Sequence, residues 1–325
     1  MARKPQLDQS EIVEALPVAC ASEAAAVAFF EEQRWGKSPT CPECESADVY
    51  QMKDRKTGER NKDYRWRCRH CGRLYSVRTG MIFEESLIPL HKWARACWES
   101  ACAKNGCSAL EMSRRLQVSY KSALFMMHRI RHAMADSPNT PRPKFTGVIE
   151  ADETYVGGKP RTMVRGRGKS KAEKTPVFAV LQRGGQVRAK VMPSVTAENV
   201  RQALLENAEP SCTLMTDESN IYKKVGRPFA AHERVKHRDY EYVRPGKRGK
   251  PTVTTNSAEG FFSRVKRGLN GTYHAVSPEH LHRYIDHFAF LYNTRELNDG
   301  ERTLALIGQA EGKRLMYKSP ERLAG

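Results

Sequence analysis

Residues 147–158 read GVIEADETYVGG, a strand-like apolar run that closes on two glycines. Asp152 lies where the apolar part of this run ends, and Asp217 directly follows a second short apolar run, Cys212–Thr216 (CTLMT). In open sheets, the side chains that bind or react gather at the ends of strands. The sequence therefore predicts two central strands that bring the carboxylates of Asp152 and Asp217 together.

The segments around these two strands alternate between strand and helix patterns. Two apolar, β-branched runs are separated by Arg183-Gly184-Gly185, which predicts a hairpin. Helical patterns follow, at residues 196–209, 255–269 and 278–292. This order predicts a mixed sheet with helices on its faces, which is the ribonuclease-H-like arrangement of an α/β domain.

The charge of the chain narrows the class of partner. Its 325 residues include 55 Lys and Arg against 37 Asp and Glu, a formal net charge of +18. Such an excess favours a polyanionic partner, nucleic acid before an anionic membrane surface. No apolar run approaches the ~20 residues that a membrane-spanning helix needs, and no secretory signal heads the sequence. We therefore expect a cytoplasmic protein, nucleoid-associated when it is bound to DNA.

A third carboxylate, Glu259, lies on the predicted helix 255–269, which could carry it to Asp152 and Asp217. Three anions held close together raise the energy steeply unless cations neutralise them. Hard oxygen ligands suit two Mg²⁺ (or Mn²⁺) ions about 3.5–4 Å apart. Lys266 follows Glu259 by two helical turns, so it shares that helix face and is predicted to point toward DNA beside the metal site.

Neighbouring polar residues leave alternatives to this set. Strand alternation places Glu150 on the same face as Asp152 and Glu153 on the other, so Glu153 replaces Asp152 only if the strand ends early. Asn256 shares the helix face of Glu259. His237 follows a predicted strand and could lie near the site.

The cysteines predict a metal site in the first part of the chain. Four of the nine form the pairs Cys41-Pro-Glu-Cys44 and Cys68-Arg-His-Cys71. Each CxxC pair offers two sulfurs from one tight turn, and four thiolates suit a tetrahedral structural Zn²⁺. Unpaired buried thiols are the alternative interpretation.

Changes in composition divide the chain into a multidomain protein. The predicted parts are an N-terminal helical segment (1–36), a zinc ribbon (37–80), a helix-turn-helix-like DNA-binding region (85–137), a linker (138–146), the ribonuclease-H-like catalytic domain (147–300) and a C-terminal tail (301–325).

The helix-turn-helix-like region consists of residues 108–120 and a second helix that Ser119 caps. A plain helical hairpin remains the alternative for it. The basic segments 159–174 and 244–250 are predicted DNA-tracking loops, with surface charge that promotes solubility as their alternative. The residues predicted to contact DNA are Lys121, Arg129, Arg131, Arg165, Arg167, Lys169, Lys247, Arg248, Lys266 and Arg267.

The motifs together carry a resemblance. CPEC and CRHC, then DETYVGG, then TDES, then TNSAEGFFSRVKRGLNGTYHAVSPEHLHRYIDHFAFLYN resemble bacterial insertion-sequence transposases of the DDE type, and more narrowly the ISXO2-like group with an N-terminal zinc ribbon. The resemblance covers residues 15–305. It implies that Asp152, Asp217 and Glu259 are the catalytic triad and that Lys266 is the basic residue that follows it.

The resemblance also implies a reaction and its partners. The enzyme would bind the terminal inverted repeats of an element, cleave at the element ends and join a 3′-hydroxyl to target DNA without a covalent enzyme intermediate. It would assemble as a homo-oligomer on paired ends of double-stranded DNA. Some relatives carry Asn where the third acid is expected, but the offset of seven residues to Lys266 favours Glu259 over Asn256.

A second class of function remains open from the sequence. A zinc-ribbon and helix-turn-helix DNA-binding regulator, or an inactive transposase descendant, would explain the charge and the cysteines equally well. It would not explain carboxylates at two strand ends and on one helix, followed by Lys266. A nuclease of similar fold that acts on RNA is disfavoured by the predicted DNA-binding region.

Overall fold

The computed structural model describes residues 9–136, 142–157, 174–246, 249 and 251–316, which form ten α-helices and ten β-strands. The helices are α1 (Gln9–Ala21), α2 (Glu23–Trp35), α3 (Leu90–Cys102), α4 (Ala109–Leu116), α5 (Tyr120–Met134), α6 (Ala197–Asn207), α7 (Asn220–Val225), α8 (Asn256–Gly268), α9 (Pro278–Asn293) and α10 (Asp299–Gln309). The strands are β1 (Val49–Gln51), β2 (Trp66–Cys68), β3 (Leu74–Tyr75), β4 (Val148–Gly157), β5 (Lys174–Gln182), β6 (Val187–Val191), β7 (Thr213–Thr216), β8 (Ala231–Arg234), β9 (Val243–Arg244) and β10 (Val253–Thr254).

The chain divides into two compact units. The first unit consists of Met1–Ala135 together with Glu296–Gly325, and the second unit is Asp136–Arg295. Within the described residues, no helix is long and apolar enough to cross a membrane.

In the first unit, β1, β2 and β3 form an antiparallel three-stranded sheet where the zinc ribbon was predicted. These strands are too short to build a core of their own, and α2 supports them. Trp35 at the end of α2 packs edge-to-face against Trp66 and Tyr75, with ring centroids 6.0 and 5.7 Å away. Trp66 Nε1 also donates a hydrogen bond of 2.7 Å to Glu31 Oε1.

Helices α4 and α5 lie where the helix-turn-helix-like region was predicted. Ser108 Oγ accepts a hydrogen bond from Glu111 N at the start of α4, and Ser119 Oγ accepts one from Ser122 N at the start of α5. The predicted cap at Ser119 is therefore confirmed. Gln117, in the left-handed conformation with φ of 50°, makes the short turn between the two helices.

The C-terminal segment corrects one predicted boundary. Residues 301–325 were expected to form a tail, but α10 begins at Asp299 and belongs to the first unit, where it packs on α3, α1 and α5. Its side chains at Leu304, Leu306 and Ile307 are buried. An apolar helix face needs a partner surface, and α3 provides it.

The second unit is built on a five-stranded sheet with the order β6-β5-β4-β7-β8. The first three strands of the unit are antiparallel neighbours, whereas β7 runs parallel to β4 and β8 runs parallel to β7. The predicted mixed sheet is thus confirmed.

Helices cover both faces of this sheet. Ile149 and Ala151 of β4 pack into a core with α6 and α7, and α8 and α9 pack on β4, β5 and β6. Phe145 is 3% exposed in the same core and corrects the predicted linker 138–146, whose last residues belong to the second unit.

Candidate active site

Asp152 and Asp217 lie on neighbouring parallel strands. β4 pairs with β7 from Val148 to Glu150, and extending this register by two residues brings Asp152 level with Asp217, which directly follows β7. β4 does not end at Asp152 but continues along β5 to Gly157. Asp152 therefore lies where the pairing with β7 stops, beside the open end of the shorter strand.

Glu259 lies in the first turn of α8, and two polar side chains contact its carboxylate. Thr255 Oγ1 donates to Glu259 Oε1 at 3.0 Å, and His237 Nε2 lies 3.1 Å from the same oxygen. Thr255 is buried, whereas the Glu259 side chain is 41% exposed. The carboxylate of Glu259 is thus oriented by protein groups but is open to solvent.

One cavity of about 720 Å³ connects Asp152 and Glu259. Its lining comes from β4, from one face of α8 and from the turn that follows α8: Asp152, Glu153, Thr154, Glu259, Phe262, Ser263, Lys266, Arg267, Asn270 and Gly271. Lys266 therefore shares a cavity wall with Glu259, two helical turns further along α8. Asp217 lies outside this lining.

The carboxylates nevertheless influence one another electrostatically. The pKa of Asp152 is raised to about 7, chiefly by burial and also by the negative charges of Glu153, Asp217 and Glu259, while a hydrogen bond from the backbone N–H of Glu153 opposes the rise. Burial also raises the pKa of Asp217; Glu259 adds to that rise. The site is an anionic pocket whose charges repel one another, and a divalent cation would relieve that repulsion.

The distances between the possible ligand atoms indicate whether the three carboxylates could hold one metal ion or two. Among the described residues, the one group of three or more possible ligands whose atoms all lie within 4.8 Å of one another is Cys41, Cys44, Cys68 and Cys71. The three carboxylates therefore do not surround a single point. A pair of ions about 3.5–4 Å apart does not require all three carboxylates to lie around one point, because ligands of different ions can lie further from each other.

Glu150, the neighbour of Asp152 on the same strand face, has a different role. It is fully buried, and its carboxylate accepts hydrogen bonds from Ser257 N at 2.8 Å and Ala258 N at 3.2 Å at the start of α8. Arg183 Nε lies 2.9 Å from Glu150 Oε1. Its carboxylate thus holds α8 against the sheet.

Glu153 was the alternative to Asp152 if the strand ended early. The strand continues to Gly157, so that condition is not met. Glu153 accepts a hydrogen bond from the hydroxyl of the fully buried Tyr222, and burial raises its pKa.

The four cysteines of the predicted zinc site come together in the first unit. Cys41 and Cys71 Sγ atoms are 3.6 Å apart, and Cys44 and Cys68 Sγ atoms are 3.7 Å apart. Two sulfurs from each of two turns fit the tetrahedral coordination of Zn²⁺.

Two residues predicted to face DNA are buried instead. Arg129 Nη1 donates to the carbonyl oxygens of Ile82 and Glu84, both at 2.8 Å, and its Nε donates to that of Leu315 at 3.2 Å. Arg131 is 1% exposed. The predictions for Arg129 and Arg131 are therefore wrong: both side chains lie inside the first unit, and Arg129 joins separate backbone segments of it.

The other predicted DNA contacts fall into two groups. Lys121, Lys266 and Arg267 are exposed. The remaining ones lie outside the described residues: Arg165, Arg167, Lys169, Lys247 and Arg248.

Sequence reasoning missed several residues that shape the site. Arg183 was read only as part of a hairpin turn, and Glu218, Tyr222 and Thr255 were not singled out. Thr255 directly precedes α8, where a hydroxyl residue is a common N-cap, but its side chain makes no capping hydrogen bond and donates to Glu259 instead. His237 was placed near the site only from its position after a strand.

Two protein-family models and one relative match this chain. Residues 144–293 match the model of the ISXO2-like transposase domain, and residues 21–74 match that of the transposase zinc-ribbon domain. The chain is 28% identical over 281 residues to the "Uncharacterized protein in transposable element ISH50" of Halobacterium salinarum, which covers 82% of this chain and 90% of the relative.

Both matched domains are transposase domains, so the chain is of the transposase class. More narrowly, residues 21–74 are similar to a transposase zinc ribbon and residues 144–293 to an ISXO2-like transposase domain, and the relative is a protein of a transposable element.

Proposed function

We propose that this protein is a DNA transposase that binds the terminal inverted repeats of an insertion sequence, cleaves phosphodiester bonds at the element ends and transfers the 3′-hydroxyl into target DNA. The observation that carries the proposal is the shared cavity of Asp152 and Glu259, with Asp217 level with Asp152 directly after the neighbouring strand β7.

A ribonuclease-H-like fold of the second unit is part of this proposal. It is supported by the strand order, with three antiparallel strands first and two parallel strands added beyond β4. Such a sheet brings the middle of β4 and the end of β7 to one place, where α8 can supply a third side chain.

The donor set fits divalent metal ions. Asp152, Asp217 and Glu259 offer hard carboxylate oxygens, and burial, together with the charges of neighbouring carboxylates, raises the pKa of both aspartates. When bound, a pair of Mg²⁺ or Mn²⁺ ions would activate the attacking water or 3′-hydroxyl and stabilise the departing 3′-oxygen. Asp152 would be a rigid ligand because β4 fixes its backbone, and Asp217, just after β7, is held by a hydrogen bond from Ser219 N. Glu259 would be the ligand from the helix.

The chain's own basic residues would bind the DNA. Lys266 and Arg267 on the cavity wall would neutralise phosphates next to the scissile bond, and Lys121 would meet DNA at the start of α5. Zn²⁺ held by the four cysteines would stabilise the ribbon. The DNA backbone would also be contacted by Arg165, Arg167, Lys169, Lys247 and Arg248. Two or more copies of the protein would act on paired element ends.

Isosteric variants test the proposal directly. We expect Asp152→Asn, Asp217→Asn and Glu259→Gln each to remove cleavage and strand transfer on a DNA that carries the element ends, while binding in a gel shift survives. Glu153→Gln is the matched control, because Glu153 lines the same cavity. Normal cleavage and joining by the Asp152 or Glu259 variant would overturn the assignment.

A further inference from the structure

The strongest unassigned contact near the site is that of His237 with Glu259. We propose that His237 is a positioning residue that holds Glu259 as a metal ligand and connects it to the turn that carries Asp217. This inference rests on the proposed function, since it takes Glu259 and Asp217 as ligands.

Both side chains that contact the Glu259 carboxylate lie at the same oxygen. Thr255 Oγ1 at 3.0 Å and His237 Nε2 at 3.1 Å contact Oε1, and the described residues make no hydrogen bond to Oε2. A glutamate side chain has several rotatable bonds, so a free one must lose conformational entropy when it binds a metal. The two contacts on Oε1 remove much of that cost in advance and leave Oε2 available as a ligand.

His237 is itself held from the other side of the site. Its backbone N–H donates to Glu218 Oε2 at 2.9 Å, and the next N–H, that of Arg238, donates to Glu218 Oε1 at 3.3 Å. The imidazole ring lies 5.1 Å from the ring of Tyr242. Both backbone and ring of His237 are therefore fixed before it contacts Glu259.

Glu218 directly follows Asp217, so the hydrogen bonds that Glu218 accepts link the turn that carries Asp217 to His237. Asp217 Oδ1 accepts a hydrogen bond from Ser219 N at 3.0 Å, so the turn after β7 is ordered. The connection runs from this turn through Glu218 to His237 and on to Glu259 in α8. It joins the end of a strand to a helix that the sequence places about 40 residues later.

The contacts of the His237 ring also show which of its two nitrogens faces Glu259. His237 Nε2 lies 3.4 Å from Thr255 Oγ1 and 3.1 Å from Glu259 Oε1. The hydroxyl hydrogen of Thr255 goes to Glu259, so both neighbours of Nε2 are acceptors and Nε2 must carry the hydrogen, while Nδ1 is buried without a hydrogen-bond partner among the described residues. A glutamine places its amide nitrogen near the position of Nε2, whereas the shorter asparagine reaches only the position of Nδ1. The pair His237→Gln and His237→Asn therefore separates the hydrogen bond from mere occupancy of the space.

Mn²⁺ binding by the full chain, loaded with zinc and free of DNA, tests the role independently of activity. Free Mn²⁺ is measured by electron paramagnetic resonance. We expect His237→Ala and His237→Asn to weaken Mn²⁺ binding about 10-fold or more, and His237→Gln to restore most of it. His280→Ala, at an exposed histidine of α9, is the matched control and should bind Mn²⁺ like the wild type.

The Glu259→Gln variant distinguishes the possible failures. If it binds Mn²⁺ as tightly as the wild type, the metal site of the proposed function is wrong, and the role of His237 fails with it. If Glu259→Gln loses Mn²⁺ binding but the Ala, Asn and Gln variants of His237 all bind Mn²⁺ as tightly as the wild type, the positioning role alone is overturned. Should His237→Ala not fold, the comparison of Gln with Asn decides the question in the same way.

Discussion

Glu150 and Asp152 lie two residues apart on one face of β4, yet their charges are compensated very differently. Glu150 is fully buried beside Arg183 and the N–H groups at the start of α8. Asp152 accepts a hydrogen bond from the backbone N–H of Glu153, and in the described part of the chain no basic side chain forms an ion pair with it. A half-buried acid among other acids, in a cavity, is typical of a functional group.

The raised pKa of Asp152 predicts a pH-dependent effect on stability. Its folded-state pKa of about 7 exceeds the ordinary value of 3.8, so the folded protein retains a proton that the unfolded chain releases. The stability that this group contributes is therefore present below pH 3.8 and is lost as the pH rises through 7. We expect Asp152→Asn, which cannot ionise, to stabilise the metal-free second unit at pH 8 by about 1–4 kcal/mol and much less at pH 5.

Thermal melts of the zinc-loaded protein, in buffer without Mg²⁺ or Mn²⁺ and without a chelator, measure this effect. Asp239→Asn is the control, because that side chain is 66% exposed and its ion pair with Lys236 contributes little. Equal melting temperatures for Asp152→Asn and the wild type at pH 8 would contradict a raised pKa at Asp152.

At the scale of elements, the position of α8 on the sheet decides the geometry of the site. Arg183 contacts Glu150 and also donates to the carbonyl oxygens of Thr252 and Thr254 in the segment before α8. A carboxylate at the N-terminus of a helix is favoured by the helix dipole. Because Glu150 belongs to the same strand as Asp152, this contact sets the distance from Asp152 to Glu259.

Loss of the buried carboxylate should therefore destabilise the second unit. We expect Glu150→Gln to lower the free energy of unfolding by about 3 kcal/mol, because it leaves Arg183 without its buried counterion. Glu206→Gln is the matched control. The Glu206 side chain is 48% exposed in its pair with Lys190, and such pairs contribute about 1 kcal/mol or less. Urea unfolding measures both, and an equal cost for the two variants would refute the role of Glu150.

The sequence predicted those features of the site that depend on local periodicity. The helical repeat was enough to place Lys266 on the face of Glu259, and hydrophobic runs followed by polar residues were enough to find β4 and β7. It could not predict that Arg129 is buried, because its partners at Ile82, Glu84 and Leu315 lie far away along the chain. The contact of Glu150 with α8 could not be predicted for the same reason, since its partners in α8 are more than 100 residues away.

At the scale of the whole molecule, the two ends of the chain belong to one unit. Residues 301–325 were predicted to be a tail, because the local sequence does not show which surface would cover an apolar helix face there. In the structure, α10 packs on α3, and Glu311 forms an ion pair of 2.9 Å with Arg34 of α2. Removal of the C-terminal segment should therefore damage the N-terminal unit.

We expect a chain that ends at Arg295 to lose the fold of the first unit and to keep that of the second. The deletion removes the buried side chains of Leu304, Leu306 and Ile307, each of which contributes about 1.5–3 kcal/mol through burial. Their sum is comparable to the 5–15 kcal/mol that stabilises a typical domain. Hydrogen exchange should then show loss of protection in α3 and unchanged protection in β4. A chain that ends at Met316 keeps α10 and is the control. Full protection of α3 in the shorter chain would show that α10 is dispensable for the first unit.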